Sequence, residues 1–597
     1  MSAPGVVGYE ALGQDVNKVK ESGRETQEGI VSEKLPELSL DMKDEELLDL
    51  AKKWQKSWAP YGATLKKRQD DNEEYWMGKQ KLNETFEMKK DDRPKPDNLI
   101  FEATETLLPV ATQAEPEPLA ESDNTDDGTA LADRVTKMLG YLSKKLDMKL
   151  TLKSVLRNWN LYFLGVAKVG WSEVNKEIAV KSLRPQTLIL DPDATIVNGN
   201  YTGSFIGEIR KDTASNLVLR FPSKKKAIKE MVGEKMGTEL NYTEWWTDDF
   251  LFWTYKDLVL DKVKNPHWNY ETENIQTDEF GNQTPQKIPG NNHLPKASKP
   301  YVFLSVFNLG QHPFDDTNLV HQNIGLQNMI SKRLRQIDIN ADNCNGGAVV
   351  NGECFTKEQA ALVGKAKREG NTVWVPPGAG DNLANAYRQD IGPPLPPFIY
   401  QSLMDYRAEL KNNFGISGLA SGGTRDRTAK GQMVRRQHDI DRIGGGISEY
   451  LEQFAEQVFN WMVQLMYVYY DEQHAASVIG AERAQQYITL KSSDMTHALT
   501  VQVREGSTIP KDPMIMRTEA LELWRMGALG PIELFTKLEF PNPRETAKQM
   551  FIWNMVKSGM MPPQMMFPDL QVPPQPQQTQ QPGAAQQPPQ AAPAPVQ

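Results

Sequence analysis

The sequence predicts an α+β chain, predominantly helical, on three observations. Apolar residues recur at spacings of three and four in long stretches beginning near Asp41, Leu131, Asp316 and Phe398, the period of helices with one buried face. Short β-branched segments such as GVAKVGW, TLILDPDAT and YTGSFIGEIR, separated by Gly, Asn and Pro, read as strands of a small sheet. With 39% hydrophobic residues and 13 tryptophans in 597 residues, the chain can bury sizeable cores, and its length implies two to four domains.

Taken in order, residues 1–40 are polar and without period, the pattern of a mobile arm. Leu47, Leu50, Trp54 and Trp58 then mark a helix with acidic residues in its first turn. Pro60 is expected to end that helix, with a second one over 62–75. Prolines 94 and 96 mark a turn into a further helix. Residues 113–130 read as an acidic linker, and Leu131, Val135, Met138, Leu142, Leu146 and Leu150 as the stripe of one long helix. The aromatic stretch 241–260 and YVFLSVFNL are expected to form a hairpin around a polar excursion at 268–300. A helix over 316–341 carries Leu319, Val320, Ile324, Met329, Leu334 and Ile337 on its apolar side, with a basic cluster of Lys332, Arg333 and Arg335. Helix 398–414 ends at Gly415, where a left-handed residue is expected. A long helix from about Thr428 to Tyr470 is interrupted by Gly444, Gly445 and Gly446, which predict a kink or a close helix crossing. Helices over 512–526 and 542–558 precede a Pro/Gln-rich tail that cannot form a core.

Composition removes several classes of function. A formal charge of −10 argues against a surface that grips nucleic acid everywhere, while leaving room for local basic patches. Two cysteines, Cys344 and Cys354, fit free thiols rather than a disulfide scaffold or structural zinc. The opening MSAPGVVGYEALGQ has no secretory pattern, and FAEQVFNWMVQLMYVYY is too short and polar for a bilayer, so no membrane role is expected. No glycine loop ends in GK[ST], and DNTDDGTALADR fails as a calcium loop because Arg134 stands where a glutamate is needed. The seven histidines lack metal-ligand spacing, and Asp439 with Asp441 reads as a solvated helix face. Neither a cofactor, a metal nor a catalytic residue is expected. The remaining enzyme alternative is a nuclease built from scattered carboxylates.

The order of segments resembles the portal proteins, or head-to-tail connectors, of tailed bacteriophages, most of all the short-tailed type. It is carried by RQDDNEEYWMGKQ with KPDNLIFEATETLLP, then GVAKVGW and ILDPDAT, then HPFDDTNLVHQNIGLQNMISKRLRQ, then FGISGLASGGTRDRTAKGQ before a long helix, and finally DPMIMRTEALELWRMGALGPIELFTKLEFPNP. The resemblance spans about Asp41 to Gly559. It implies a subunit with wing, stem, clip and helical crown, assembled into a dodecameric ring at one capsid vertex of the virion after synthesis in the host cytoplasm. On that pattern 1–40 is an arm, 41–210 and 343–505 the wing, 211–236 and 313–342 the stem helices, 237–312 the clip, 506–560 the crown and 561–597 a tail. It implies double-stranded DNA in the channel during packaging and ejection. Its partners would be the terminase packaging motor, a head-tail adaptor, and the major capsid and scaffolding proteins. A tail adaptor or an internal ejection protein is the structural alternative.

The resemblance also gives a role to 415–431, the tunnel loop of such a subunit. Gly418, Ser421, Gly422 and Gly423 would supply a hinge with several backbone states. Arg425 and Arg427 could touch phosphates, Asp426 would weaken the local field so that the loop does not become a brake, and Lys430 belongs to the same channel loop.

Overall fold

The structure, a computed structural model, describes residues 40–79, 97–113, 115–123, 125–197, 199–233, 235–277, 283–344, 347–350, 356–358, 387–390, 394–416, 444–471, 474–479, 485–504, 513–538 and 540–558. The chain divides into two compact units, Met1–Pro510 and Lys511–Gln597. Helices and antiparallel strands are mixed throughout the first, so the fold is α+β.

The first unit opens with α1 (Asp44–Trp76), one helix that runs through Pro60. The expected break does not occur. A proline inside a helix forfeits one hydrogen bond, but here both halves are clamped by packing: Leu47, Leu50 and Trp54 on one side of it, Leu65, Gln69 and Asn72 on the other. Asn98 caps α2 (Leu99–Ala111) by accepting from the Phe101 amide at 3.2 Å. The expected linker then contains a strand, β1 (Pro118–Ser122), and Thr125 caps α3 (Asp126–Lys145). The long helix predicted over 131–150 is two helices, because Asp147 takes a left-handed conformation at φ 47° before α4 (Met148–Tyr162). Leu150 consequently faces solvent.

After α4 come β2 (Gly165–Ser172), β3 (Glu177–Leu183), β4 (Leu188–Leu190), β5 (Ile196–Val197), β6 (Asn200–Tyr201) and β7 (Ile206–Thr213). The stretch 211–236, expected as one stem helix, holds the end of β7 and two short helices, α5 (Ala214–Arg220) and α6 (Lys225–Val232). Pro222 between them interrupts the pattern. Next are β8 (Glu239–Trp246), β9 (Phe250–Tyr255) and β10 (Leu258–Lys264), a meander that joins β7 and β4 in a five-stranded antiparallel sheet of order β10-β9-β8-β7-β4. One apolar cluster against this sheet contains Trp54 of α1, which stacks on Phe205 at 4.1 Å, with Trp245 and Phe252. A second contains Leu217, Phe221 and Ile228 with Tyr242 and Trp253. Alternation along β8 sends Trp245 to the first cluster and Trp246 to the second.

The hairpin expected between 241–260 and 301–309 is not formed. The polar excursion folds on itself as β11 (Thr272–Thr277) and β12 (Gln283–Ile288), and β13 (Tyr301–Leu304) pairs with β2 instead, giving the order β13-β2-β3. The described residues of 237–312 thus contribute strands to three different sheets. Beyond them lie α7 (Leu319–Cys344), β14 (Gly347–Val350), β15 (Tyr387–Asp390), α8 (Pro397–Asn413) and α9 (Glu449–Tyr469). The unit closes with β16 (His474–Ile479), β17 (Gln485–Leu490) and β18 (Leu499–Val503), and β18 pairs antiparallel with β1.

The largest core gathers α2, α3, α4 and α9 around β2 and β13, with Val135, Leu139, Trp159, Phe454, Val458, Phe459 and Met462 sealed inside. Gln464 of α9 is a fully buried polar residue beside it. The Gln464 Oε1 accepts from the amides of His293 and Leu294 at 2.8 and 2.9 Å, and Nε2 donates to the His267 carbonyl and to Asn292 at 3.0 and 2.9 Å. Every hydrogen-bonding position of the amide is used, which is what allows it inside an apolar helix.

In the second unit, α10 (Pro513–Arg525), α11 (Pro531–Lys537) and α12 (Pro543–Lys557) follow one another. The middle helix was not expected from the sequence pattern, being only seven residues long between Gly530 and Phe540.

Candidate functional site

Helix α7 is held by buried polar side chains as well as by its apolar stripe. Asp316 sits buried just before it and accepts from Trp159 Nε1 at 2.8 Å, Ser305 Oγ at 2.9 Å, and the amides of Val306, Phe307 and Thr317 at 3.0, 3.1 and 2.7 Å. Asn318 caps the helix through the His321 amide at 2.7 Å. One turn on, Asn323, Gln327 and Ser331 form a buried polar stripe at intervals of four residues. Gln327 donates to the Asp97 carbonyl at 2.6 Å, and Asn323 accepts from Asn413 at 2.9 Å. Leu319, Val320 and Ile330 are the buried apolar members, whereas the expected Met329 is exposed.

That last bond sets the geometry. Asn413 ends α8 and Asn323 lies near the start of α7, so the two helices pack antiparallel. Arg407 of α8 binds Asp97 at 2.6 Å and Lys411 binds Glu102 at 3.0 Å, fastening the pair to the entrance of α2. At the opposite end, β14 pairs with β15, Gly347 opposite Asp390. Together they make a helical hairpin with a strand pair at its far end. Lys332 is exposed on it, and Arg333 and Arg335 are half-buried, with Arg333 donating to Gln336 at 2.7 Å.

Gly415 adopts φ 72°, as its place after α8 predicts. Its amide donates to the Asn412 carbonyl and that of Ile416 to the Lys411 carbonyl, both at 3.0 Å, closing the helix end with two reverse-turn bonds. Residues 417–443 lie outside the described residues, and with them Gly418, Ser421, Gly422, Gly423, Arg425, Asp426, Arg427, Lys430, Asp439 and Asp441. The chain re-enters at Gly444–Ser448, which form a π-helical turn leading into α9. Gly444, Gly445 and Gly446 therefore open the described part of this helix. Ile416 and Ile447, on either side of the segment, are buried in the same core.

A second cluster escaped the sequence reading. Lys168 Nζ lies 2.6 Å from both Glu208 Oε2 and Glu244 Oε1, and Arg210 Nη1 is 2.7 Å from Glu244 Oε2. Trp246 and Trp253 donate their indole N–H groups to Glu244 at 2.6 and 3.1 Å, and the Tyr301 hydroxyl donates to Glu208 at 2.8 Å. Burial alone would raise the Glu244 carboxyl, but Lys168 and Arg210 overcome it and hold the group below the usual carboxylate range. Its oxygens are fully engaged by fixed donors, so the cluster is a cross-brace rather than a site with a free base. The signal that could have revealed it is charged residues inside three otherwise apolar stretches, Lys168 in GVAKVGW, Glu208 and Arg210 in FIGEIR and Glu244 in YTEWW.

Histidines are also internal. Burial lowers His267 to about 4, and lowers His293, His312 and His321 as well. His267 sits against Trp246, its ring planes 10° apart, and pairs with the Tyr469 hydroxyl at 3.1 Å. An unfolded chain takes up protons at these groups near the ordinary value of about 6.5, while the folded chain resists. Their contribution is therefore complete above about pH 6.5 and is lost as the pH falls toward 4, by roughly 3 kcal/mol for His267 alone. Thermal melting should show a falling midpoint across that window, and a His267→Asn variant should show a shallower fall.

Among the described residues no group of three His, Cys, Asp or Glu side chains is placed to hold a metal ion. Among them, too, no helix is long and apolar enough to cross a membrane. No protein-family model matches the sequence, and no curated protein matches it. Among solved structures, the chain is distantly similar to a chain in the virion of a native gene transfer agent particle, at 9% identity and a TM-score of 0.33, covering 74% of this chain and 89% of that one. It is likewise similar to a chain in the neck of an empty gene transfer agent particle, at 9% identity and a TM-score of 0.34, covering 74% and 90%.

Proposed function

We propose that this chain is the subunit of a phage portal, a ring-shaped and non-catalytic conduit for double-stranded DNA at the capsid vertex. The observation that carries the reading is the helical hairpin of α7 and α8 with a strand pair at its far end, followed directly by a glycine-rich, arginine-bearing segment whose two flanks are buried in one core. A stem is a pair of helices with the clip between them. The helix that packs antiparallel on 319–344 is 397–413, which follows it, so the stem pair becomes α7 with α8 and the clip becomes 345–396. Of the residues first given to the stem and clip, 211–236 hold two short helices, and 237–312 hold strands that join β7 and β2 together with the separate pair β11–β12. In this reading 415–431 keeps the role of the tunnel loop.

In this role the ring would be dodecameric and would meet the packaging motor, then the head-tail adaptor, with capsid and scaffolding proteins around it. Transport needs weak contacts that ignore sequence, and a short Arg-Asp-Arg tip supplies few phosphate contacts per subunit. Replacing Arg425 and Arg427 by alanine is expected to leave assembly within about 0.5 kcal/mol of the parent and to change DNA passage or retention. Unchanged packaging and retention would remove the loop from the channel. Electron micrographs of the purified protein test the function itself: closed rings with a central hole support it, and monomers or open fibres overturn it. DNA incubated with the protein and magnesium should remain intact. Cleavage abolished by a single Asp→Ala change would make the chain a nuclease instead.

A further inference from the structure

Helix α6 concentrates a charge that the rest of the chain does not share. Over 220–232 stand Arg220, Lys224, Lys225, Lys226 and Lys229 against one acidic residue, Glu230, in a protein whose formal charge is −10. At about 100° per residue, Lys225, Lys229 and Lys226 fall within an arc of about 100°, so three ammonium groups share one stripe while Ile228 packs inward. All three are exposed. The first turn of α6 holds no acidic residue to offset them, and among the described residues no carboxylate pairs with any of the three. Like charges one turn apart repel, so a stripe of this kind calls for an anionic partner.

The chain itself brings one to the place. Lys224, the residue before α6, binds Asp44 of α1 at 3.1 Å. Lys262 of β10 donates to the Met42 carbonyl at 2.6 Å, and Leu40 packs against the cluster around Trp54. The described chain thus enters beside α6, and its first turn of helix has already placed a carboxylate on the first of these lysines. Immediately upstream, ETQEGIVSEKLPE at 25–37 holds Glu25, Glu28, Glu33 and Glu37 against the single Lys34. The eleven residues from Asp44 back to Glu33 can span up to about 37 Å, well beyond the roughly 12 Å length of an eight-residue helix. A partner tethered this closely needs little affinity of its own, because a short linker holds it at an effective concentration of about a millimolar.

We propose that residues 25–37 dock through their glutamates on the lysine stripe of α6 in the same chain. The contact is an internal counter-charge. It keeps Lys225, Lys226 and Lys229 from holding nucleic acid, the other polyanion that such a stripe attracts. It requires neither a ring nor a DNA channel.

A carbodiimide, which joins a carboxylate to an amine only where the two touch, tests it on full-length protein prepared as an equal mixture of isotope-labelled and unlabelled chains. Mass spectrometry of the digest should find Glu25, Glu28, Glu33 or Glu37 joined to Lys225, Lys226 or Lys229, both peptides coming from one chain. At about 1 M salt, where the Debye length is about 3 Å, the yield should fall at least about fivefold. A variant carrying Lys225→Glu, Lys226→Glu and Lys229→Glu changes only exposed side chains, so it should fold like the parent and lose the cross-links. On immobilised heparin, the variant Glu33→Gln with Glu37→Gln should elute at higher salt than the parent, because its stripe is uncovered. No cross-link to these three lysines, a yield indifferent to salt, or a glutamine variant that elutes with the parent would overturn the docking. Cross-links that join labelled to unlabelled chains would overturn it in favour of a second copy. Duplex DNA retained by the parent through the same lysines, with no cross-link formed, would make nucleic acid the occupant instead.

Discussion

Replacing Lys168 by methionine is expected to destabilise the first unit by about 3 to 5 kcal/mol, the range for a buried ion pair that loses one partner. Glu208 and Glu244 are only 6% and 2% exposed, and both lose a charged donor at 2.6 Å. Glu244 keeps Arg210 and two indoles; Glu208 keeps the Tyr301 hydroxyl. Two carboxylates on adjacent strands would then share too little positive charge. The double variant Lys168→Met with Glu208→Leu should cost less than the sum of the two singles, because it removes the stranded charge along with the lysine. Denaturant midpoints would report both results. A Lys168→Met protein within 1 kcal/mol of the parent would mean that the brace carries no weight. The pH dependence has a definite sign. Because Glu244 is held below its ordinary value, its stabilising contribution is present above about pH 4.5 and disappears as the pH falls toward the lower folded value. The variant should lose that acid-side sensitivity, separately from the histidine window that begins near pH 6.5.

Asp316→Ala is the second large effect, with an expected loss of at least about 3 kcal/mol. The carboxylate collects donors from three parts of the chain: the Trp159 indole on α4, the Ser305 hydroxyl with the Val306 and Phe307 amides after β13, and the Thr317 amide at the head of α7. Removing it strands several buried donors, each at about 1 to 3 kcal/mol. Asp316→Asn keeps one carbonyl oxygen as acceptor and should fall between parent and alanine. A urea titration of the three proteins gives the ranking. Equal midpoints for the parent and asparagine would show that the carboxylate serves only to fill space.

What could be read from the sequence follows from how local each cause is. The end of α8 was legible because a glycine after an apolar stripe has a local conformational reason to stop a helix, and Gly415 does so. Pro60 misled because the cost of a proline is local while the packing of Trp54 and Leu65 that outweighs it is not. Strand β1 was invisible: five residues, PLAES, acquire their partner only from 499–503. The candidate stem illustrates the same limit. Its apolar residues marked α7 as a helix, but its polar tie to α8 is the bond between Asn323 and Asn413, a pairing that no hydropathy pattern encodes.

The pairing of β1 with β18 carries a consequence for how the chain is made. Translation at about 5 to 20 residues per second places roughly 20 to 75 s between the emergence of Ser122 and that of Leu499. Through that interval one edge of β1 has no strand beside it, and the nascent chain must hold the strand by other means. The Ala120 amide bonds to Thr136 Oγ1 of the neighbouring α3 at 2.8 Å, a contact between residues made within moments of each other. Helix α3 can thus hold β1 in place on the ribosome until the last strand of the unit arrives, and a Thr136→Val chain should be lost to aggregation during synthesis more than its equilibrium stability would suggest.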